Sequence, residues 1–174
     1  AAAAAAAAAG PAMAVDAGAS TVGAASAVAV LGLRVVGVFS SYLVFEPDLE
    51  RLRPEELRRV RELSISRPGV GNITFHGETD CTALEFEHIV RLEIGSVLVY
   101  PESTRKPPVG TDLNKAATVT MYQCWPPTGS KLPQNPASQE KYKNKIKQMT
   151  EENNAKFIEY DCATGVWTFS VEHF

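Results

Sequence analysis

Cysteine is scarce: Cys81, Cys124 and Cys162 are the three in 174 residues, and no two share a C-x-x-C spacing. An odd, widely spaced set excludes the disulfide framework of a small secreted domain and fits free thiols in a reducing compartment. Histidine is as rare. His76, His88 and His173 lie far apart and offer no ligand set for zinc, so neither a metal nor a cofactor is expected. Positive charge is not in excess either, with 17 Lys and Arg against 20 Asp and Glu, net −3. A surface that tracks phosphates needs clustered cations, so direct nucleic-acid binding is not expected. Long apolar runs are missing too. Residues 24–39 come nearest, but Arg34 interrupts them and no basic stretch precedes them. They also fall short of the ~20 apolar residues a helix needs to cross a bilayer, so no membrane span is expected. A dinucleotide loop is absent: Gly69-x-Gly71 precedes a strand pattern, and no third glycine arrives on schedule.

Charge nearly vanishes from residues 1–40, where Asp16 and Arg34 stand alone among Ala, Gly, Val and Ser, and nine alanines open the chain. The break in composition divides the protein into a low-complexity tail or linker, 1–40, and one domain, 41–174, long enough to bury a core.

The last twenty residues organise that domain. From Trp167 the chain alternates, with Trp167, Phe169 and Val171 apolar and Thr168, Ser170 and Glu172 polar between them. A period of two predicts a strand with one face on a core. Residues 157–160 read as its partner and 161–165 as the joining turn. His173 continues the apolar row and Phe174 follows it. A chain that stops mid-strand on a large aromatic is expected to have been longer as encoded.

Upstream, Pro54 with Glu55 and Glu56 behind it marks a helix start. Leu57, Val60 and Leu63 recur every third residue, which predicts a helix over 54–63 with Arg58, Arg59 and Arg61 on its solvated face. Residues 67–71 read as a turn before a strand at 72–76. The contiguous Val97, Leu98 and Val99 predict a strand covered on both faces. Pro107 and Pro108 fix two backbone angles and remove two amide donors, so the loop 106–114 is rigid, ahead of a strand at 117–121. At its end Asn114 is a fixed amide that can orient a peptide or donate to an oxyanion. Trp125 is assigned to the core. Asn135 as cap and Pro136 as first helical residue open a second helix, with Tyr142, Ile146 and Met149 as its apolar stripe and Asn153 and Asn154 at its end. His76 and His88 read as surface residues without a role. Many short strands beside two helical stripes give an α+β class: a mostly antiparallel, partly closed sheet or sandwich over 64–174, flanked by helices at 54–63 and 136–153.

Certain of these stretches also carry a resemblance. Ala155-x-Phe157-x-Glu159-Tyr160, then Thr164-Gly165-x-Trp167-x-Phe169-x-Val171-x-His173-Phe174, resembles the self-cleaving C-terminal domain of the nucleoporin 98 family. Lys106-Pro107-Pro108-Val109-Gly110-x-x-Leu113-Asn114 is similar to a second motif of that family, and Gly69-x-Gly71-x-Ile73-x-Phe75-x-Gly77 to its opening strand. The family cuts a His-Phe-Ser triplet between Phe and Ser. The resemblance therefore implies His173 as the base, Phe174 as the source of the scissile carbonyl, and a hydroxyl nucleophile in the residue that follows. A weak hydroxyl nucleophile needs such an adjacent base. On this reading a chain ending at Phe174 is the spent product, no longer an enzyme. The resemblance also implies a place in the nuclear pore complex, where the domain anchors an FG nucleoporin and supports transport of protein and mRNA. Implied partners are other nucleoporins: the released C-terminal peptide or an adjacent nucleoporin's segment, and a β-propeller nucleoporin. Residues 1–40 depart from the family in having no Phe-Gly repeats. The residues by themselves also fit a generic β-rich peptide-binding module, or a hydrolase without self-cleavage. The residue encoded after Phe174 separates these readings.

Overall fold

A computed structural model describes residues 43–101, 105–126 and 135–174, together with the backbone of 12–13 and 29–30. Those two short pieces, β1 (Ala12–Met13) and β2 (Ala29–Val30), pair antiparallel. The reading of 1–40 as a tail otherwise lies outside the described residues.

The centre of the fold is a six-stranded antiparallel sheet. Its strands are β3 (Val44–Glu46), β5 (Ser64–Arg67), β6 (Gly71–Phe75), β10 (Ala117–Met121), β11 (Lys156–Asp161) and β12 (Val166–Val171). They lie in the order β11-β12-β10-β6-β5-β3, every pair antiparallel. The alternation of the sequence decides the two faces. Ile65, Ile73, Phe75, Val119, Met121, Trp167 and Phe169 are buried on one side, and Asn72, Thr74, Thr118, Thr120, Thr168 and Ser170 are half-buried on the other. Sequestering one such large apolar side chain contributes ~1.5–3 kcal/mol, which fixes the register, because a one-residue slip would turn the whole row outward. The sheet is open: β3 and β11 are its edges and do not meet. β12, the last strand, is interior, held between β10 and β11.

The remaining elements close the apolar face. The hairpin of β8 (Val90–Glu93) and β9 (Ser96–Val99) places Val90, Leu92, Val97 and Val99 in the core, and Arg67 ties it to β5 by donating to the Leu92 carbonyl (2.7 Å). α2 (Phe86–Ile89) leads into it. α3 (Pro136–Glu152) begins as its sequence predicts, with the Asn135 side chain accepting from the Ala137 amide (3.0 Å) and Pro136 at the first position. It buries Tyr142, Ile146 and Thr150, and Tyr142 packs edge-on against Tyr160 of β11 with ring centres 5.5 Å apart. Asn153 caps its end and Asn154 takes the left-handed turn (φ 57°).

Three local expectations are corrected. The helix over 54–63 is a single turn, α1 (Pro54–Leu57). Val60 and Leu63 are buried, but Val60 lies in β4 (Val60–Arg61), which pairs with β7 (Glu78–Thr79), and Leu63 accepts from the Phe75 amide (2.8 Å). Those distant partners outbid the three-residue periodicity. Leu98 is half-buried rather than covered on both faces, because along β9 Val97 and Val99 face the core and Leu98 alternates to the other side. Trp125 is also half-buried; its ring lies across Gly165 in the β11–β12 turn, 2.6 Å from where a Cβ would stand.

Candidate functional site

The candidate site lies where β12 runs out. Val171 is the last residue of the strand, paired with Ala117 of β10. Beyond it Glu172 is exposed, His173 half-buried and Phe174 fully buried. The Phe174 ring packs on Phe75, with centroids 5.7 Å apart and planes tilted by 53°. A buried aromatic so close to the strand end pins the Phe174 backbone. His173 contributes a buried Nδ1 that has no hydrogen-bond partner among the described residues. A buried polar nitrogen left unpaired costs ~1–3 kcal/mol, and Thr79 Oγ1, Asn114 Oδ1, Tyr142 OH and Trp167 Nε1 are unpaired in the same way.

Asn114 comes to the same end of the sheet by a different route. The antiparallel register ends at Ala117 and Val171, and Asn114 and Phe174 each lie three residues beyond that rung. The loop before Asn114 is a tight knot. The Thr111 amide donates to the Pro108 carbonyl (3.2 Å), the Asn114 amide to Thr111 (2.9 Å), and the Gly110 amide to the Asn114 carbonyl (2.7 Å). The Tyr100 hydroxyl accepts from the Leu113 amide (3.2 Å). The two prolines supply no amide here, so the donors that close the loop are the amides of Gly110, Thr111 and Asn114. The Asn114 side chain is itself part of this closure, since Nδ2 donates to the Pro107 carbonyl at 2.8 Å. Its Oδ1 is buried without a partner. The structure thus brings His173, Phe174 and Asn114 to one end of the sheet, and among the described residues no hydrogen bond joins them.

Lys115, which no sequence pattern singled out, adjoins Asn114. Burial lowers its pKa, opposed by the nearby Cys81, Asp112 and Glu62, and its ammonium donates to the Glu78 carbonyl. The only signal for it in the sequence was adjacency to a rigid loop. His76 is exposed, as expected, but it is not idle: its ring bridges Glu62 (3.1 Å) and Thr118 (2.8 Å). His88 lies exposed, 4.0 Å from Glu85. Among the described residues no group of three or more His, Cys, Asp or Glu gathers to hold a metal ion, and no helix is long and apolar enough to cross a membrane.

The family model Nucleoporin2, Nup98-96 autopeptidase S59, matches residues 41–174. The chain belongs to this family. It is 35% identical over 129 residues to the nuclear pore complex protein Nup98-Nup96 of Dictyostelium discoideum, and 39% identical over 127 residues to NUP98A of Arabidopsis thaliana. Those matches cover 73% and 72% of this chain but 6% and 12% of the relatives, so the chain spans a small part of their length. Among solved structures, a Chaetomium thermophilum Nup145N APD mutant fused to Nup145C N is 29% identical, with a TM-score of 0.65 over 78% of this chain and 96% of that one. The C-terminal domain of NUP116 from Candida glabrata, 24% identical with a TM-score of 0.62 over 80% and 94%, shares the fold. As a nucleoporin autopeptidase domain, the protein sits in a family of nuclear pore complex components.

Proposed function

We propose that the end of β12 is a self-cleavage site, with His173 as the general base and Phe174 as the acyl side of the cut bond. In a chain that continues with a hydroxyl residue, that hydroxyl attacks the Phe174 carbonyl carbon while His173 takes its proton. The peptide C–N bond breaks, the proton passes to the freed amine, and the acyl group now sits on oxygen as an ester. Water then hydrolyses the ester, leaving a Phe174 carboxylate and restoring the hydroxyl. The observation that carries the reading is the pairing of a ring-locked Phe174 with a buried, unpartnered His173 nitrogen. Asn114 acts as a positioning residue: it holds the 106–114 loop shut and supports the strand end that presents the carbonyl. After such a cut the nucleophile leaves with the downstream segment, and the domain works as a binding module.

In that role the domain anchors an FG nucleoporin at the nuclear pore, and so supports movement of protein and mRNA. Its partners are other nucleoporins: the released C-terminal peptide or an adjacent nucleoporin's segment, and a β-propeller nucleoporin. The experiment is expression of the chain extended past Phe174 by a serine and a short segment, read by denaturing electrophoresis. Two fragments without added protease are expected, and His173→Ala should leave mostly uncut chain. Equal cleavage of parent and His173→Ala would remove His173 from the mechanism.

A further inference from the structure

The polar face of the sheet carries a second constellation, which the self-cleavage reading does not use. Glu62 Oε2 lies 3.1 Å from His76 Nδ1, and His76 Nε2 lies 2.8 Å from Thr118 Oγ1. The other Glu62 oxygen accepts from the Gly77 amide at 2.7 Å. Those bonds, the Gly77 amide first and His76 second, hold the Glu62 carboxyl below its ordinary range, so it faces the imidazole as an anion. A carboxylate on Nδ1 selects the tautomer whose proton sits there and leaves Nε2 to accept from the threonine hydroxyl. Glu62 also adopts a left-handed backbone (φ 47°), an unfavourable conformation for a residue with a Cβ. Observed strain of this kind, at a residue whose two carboxylate oxygens are both engaged, is a pointer to function.

The hydroxyl opens onto space. His76, Thr118, Lys156, Ile158, Ser170 and Glu172 line a groove of about 500 Å3, with Ala116, Ala155 and Val171 adding apolar wall. Thr118 faces the side of the sheet opposite the buried Ala117 and Val119, so this groove is separate from the Phe75–Phe174 packing. An acidic orienter, an imidazole and a hydroxyl in hydrogen-bond sequence, beside a partly apolar groove, form the arrangement that activates an oxygen nucleophile.

We infer that Glu62, His76 and Thr118 form an esterase-type site for short-chain acyl esters. Thr118 Oγ1 attacks the ester carbonyl carbon and its proton passes to His76 Nε2. The bond to the leaving alcohol breaks, and the alcohol departs with that proton. Water then attacks the acyl-threonine, gives a proton to Nε2, and His76 returns it to Thr118 as the carboxylic acid leaves. Lys156 brings positive charge to the groove in which the oxyanion forms.

The test is hydrolysis of p-nitrophenyl butyrate by the 174-residue chain, followed by peptide mass analysis of rapidly quenched protein. The expected result is a burst of nitrophenolate near one equivalent, with the butyryl mass on the peptide that contains Thr118. Thr118→Val and His76→Ala should each slow the burst by about 100-fold, while Thr118→Ser retains it. His88→Ala, which removes another exposed imidazole, should leave it unchanged. Butyryl found on lysine alone, Thr118→Val as fast as the parent, or equal losses in His76→Ala and His88→Ala would each overturn the site. If Thr118→Val melts early, Glu62→Gln decides: a slower burst supports the relay and an unchanged one overturns it. Because His173 takes no part, failure here leaves the self-cleavage reading standing.

Discussion

Single residues show where the fold tolerates no change. At Gly165 an added Cβ would meet the Trp125 ring at 2.6 Å, and the backbone sits at φ 69°. Gly69 has a similar φ of 76° but open space around it. Gly165→Ala should therefore lower stability by ~2–3 kcal/mol, combining overpacking with backbone strain, against ~1 kcal/mol for Gly69→Ala. Thermal melts of the two variants check this, and equal losses would show that the Trp125 contact costs nothing. The two packed tyrosines make a second pair. The Tyr160 hydroxyl donates to the Cys124 carbonyl at 2.8 Å, while the buried Tyr142 hydroxyl has no partner among the described residues. Tyr160→Phe should cost ~1 kcal/mol in a denaturant melt, and Tyr142→Phe should be neutral or slightly stabilising. Legibility at this scale was uneven. His173 and Phe174 stood out through the family motif; alternation alone would bury His173, whereas the strand ends at Val171, His173 is half-buried and Phe174 is buried instead. The engagement of His76 was not legible, since Glu62 and Thr118 reach it from 14 and 42 residues away.

Elements explain the rest of what the sequence could and could not disclose. The β11–β12 hairpin and α3 were legible because their signals are local: alternation, a turn with Gly165, an asparagine cap and an apolar stripe. The segment after Pro54 was not. Leu57, Val60 and Leu63 satisfy a helical spacing, yet pairing with Glu78 and Thr79 and with Phe75 decides their structure, and periodicity carries no record of a distant partner. The loop 106–114 was legible as rigid from its prolines, while the lock itself, Asn114 Nδ2 on the Pro107 carbonyl, depends on the folded loop. Asn114→Ala should loosen that loop and lower the melting temperature by several degrees, as expected for a lost buried hydrogen bond of ~1–2 kcal/mol. In the extended chain it should slow cleavage in proportion to the loosening. A full-rate, destabilised Asn114→Ala would show that the loop does not position the strand end.

The whole molecule responds to pH through its surface carboxylates. Glu62, Asp80 and Asp161 are held below their ordinary range, chiefly by the Gly77 amide, the Thr82 side chain and the Thr164 side chain respectively. A depressed folded pKa adds stability that is present above the unfolded value of ~4 and is lost as pH falls through the folded value. Melting temperature should therefore hold steady from pH 7 to about 5 and drop below about 4, with the drop reduced in Asp161→Asn. A flat profile down to pH 2 would contradict these assignments. At the same scale, β12 is interior, so removing residues 167–174 would take out the strand that joins β11 to β10 and unfold the domain. Function must be probed by substitution at the strand end. The most direct measurement is the intact mass of the chain extended past Phe174 by a serine and a short segment, recorded over time after purification under denaturing conditions and refolding. The account predicts loss of precursor on refolding, a product whose mass ends at Phe174, a released fragment beginning with serine, and neither fragment when that serine is alanine. Cleavage at another bond, or undiminished cleavage with alanine in place of the serine, would contradict it.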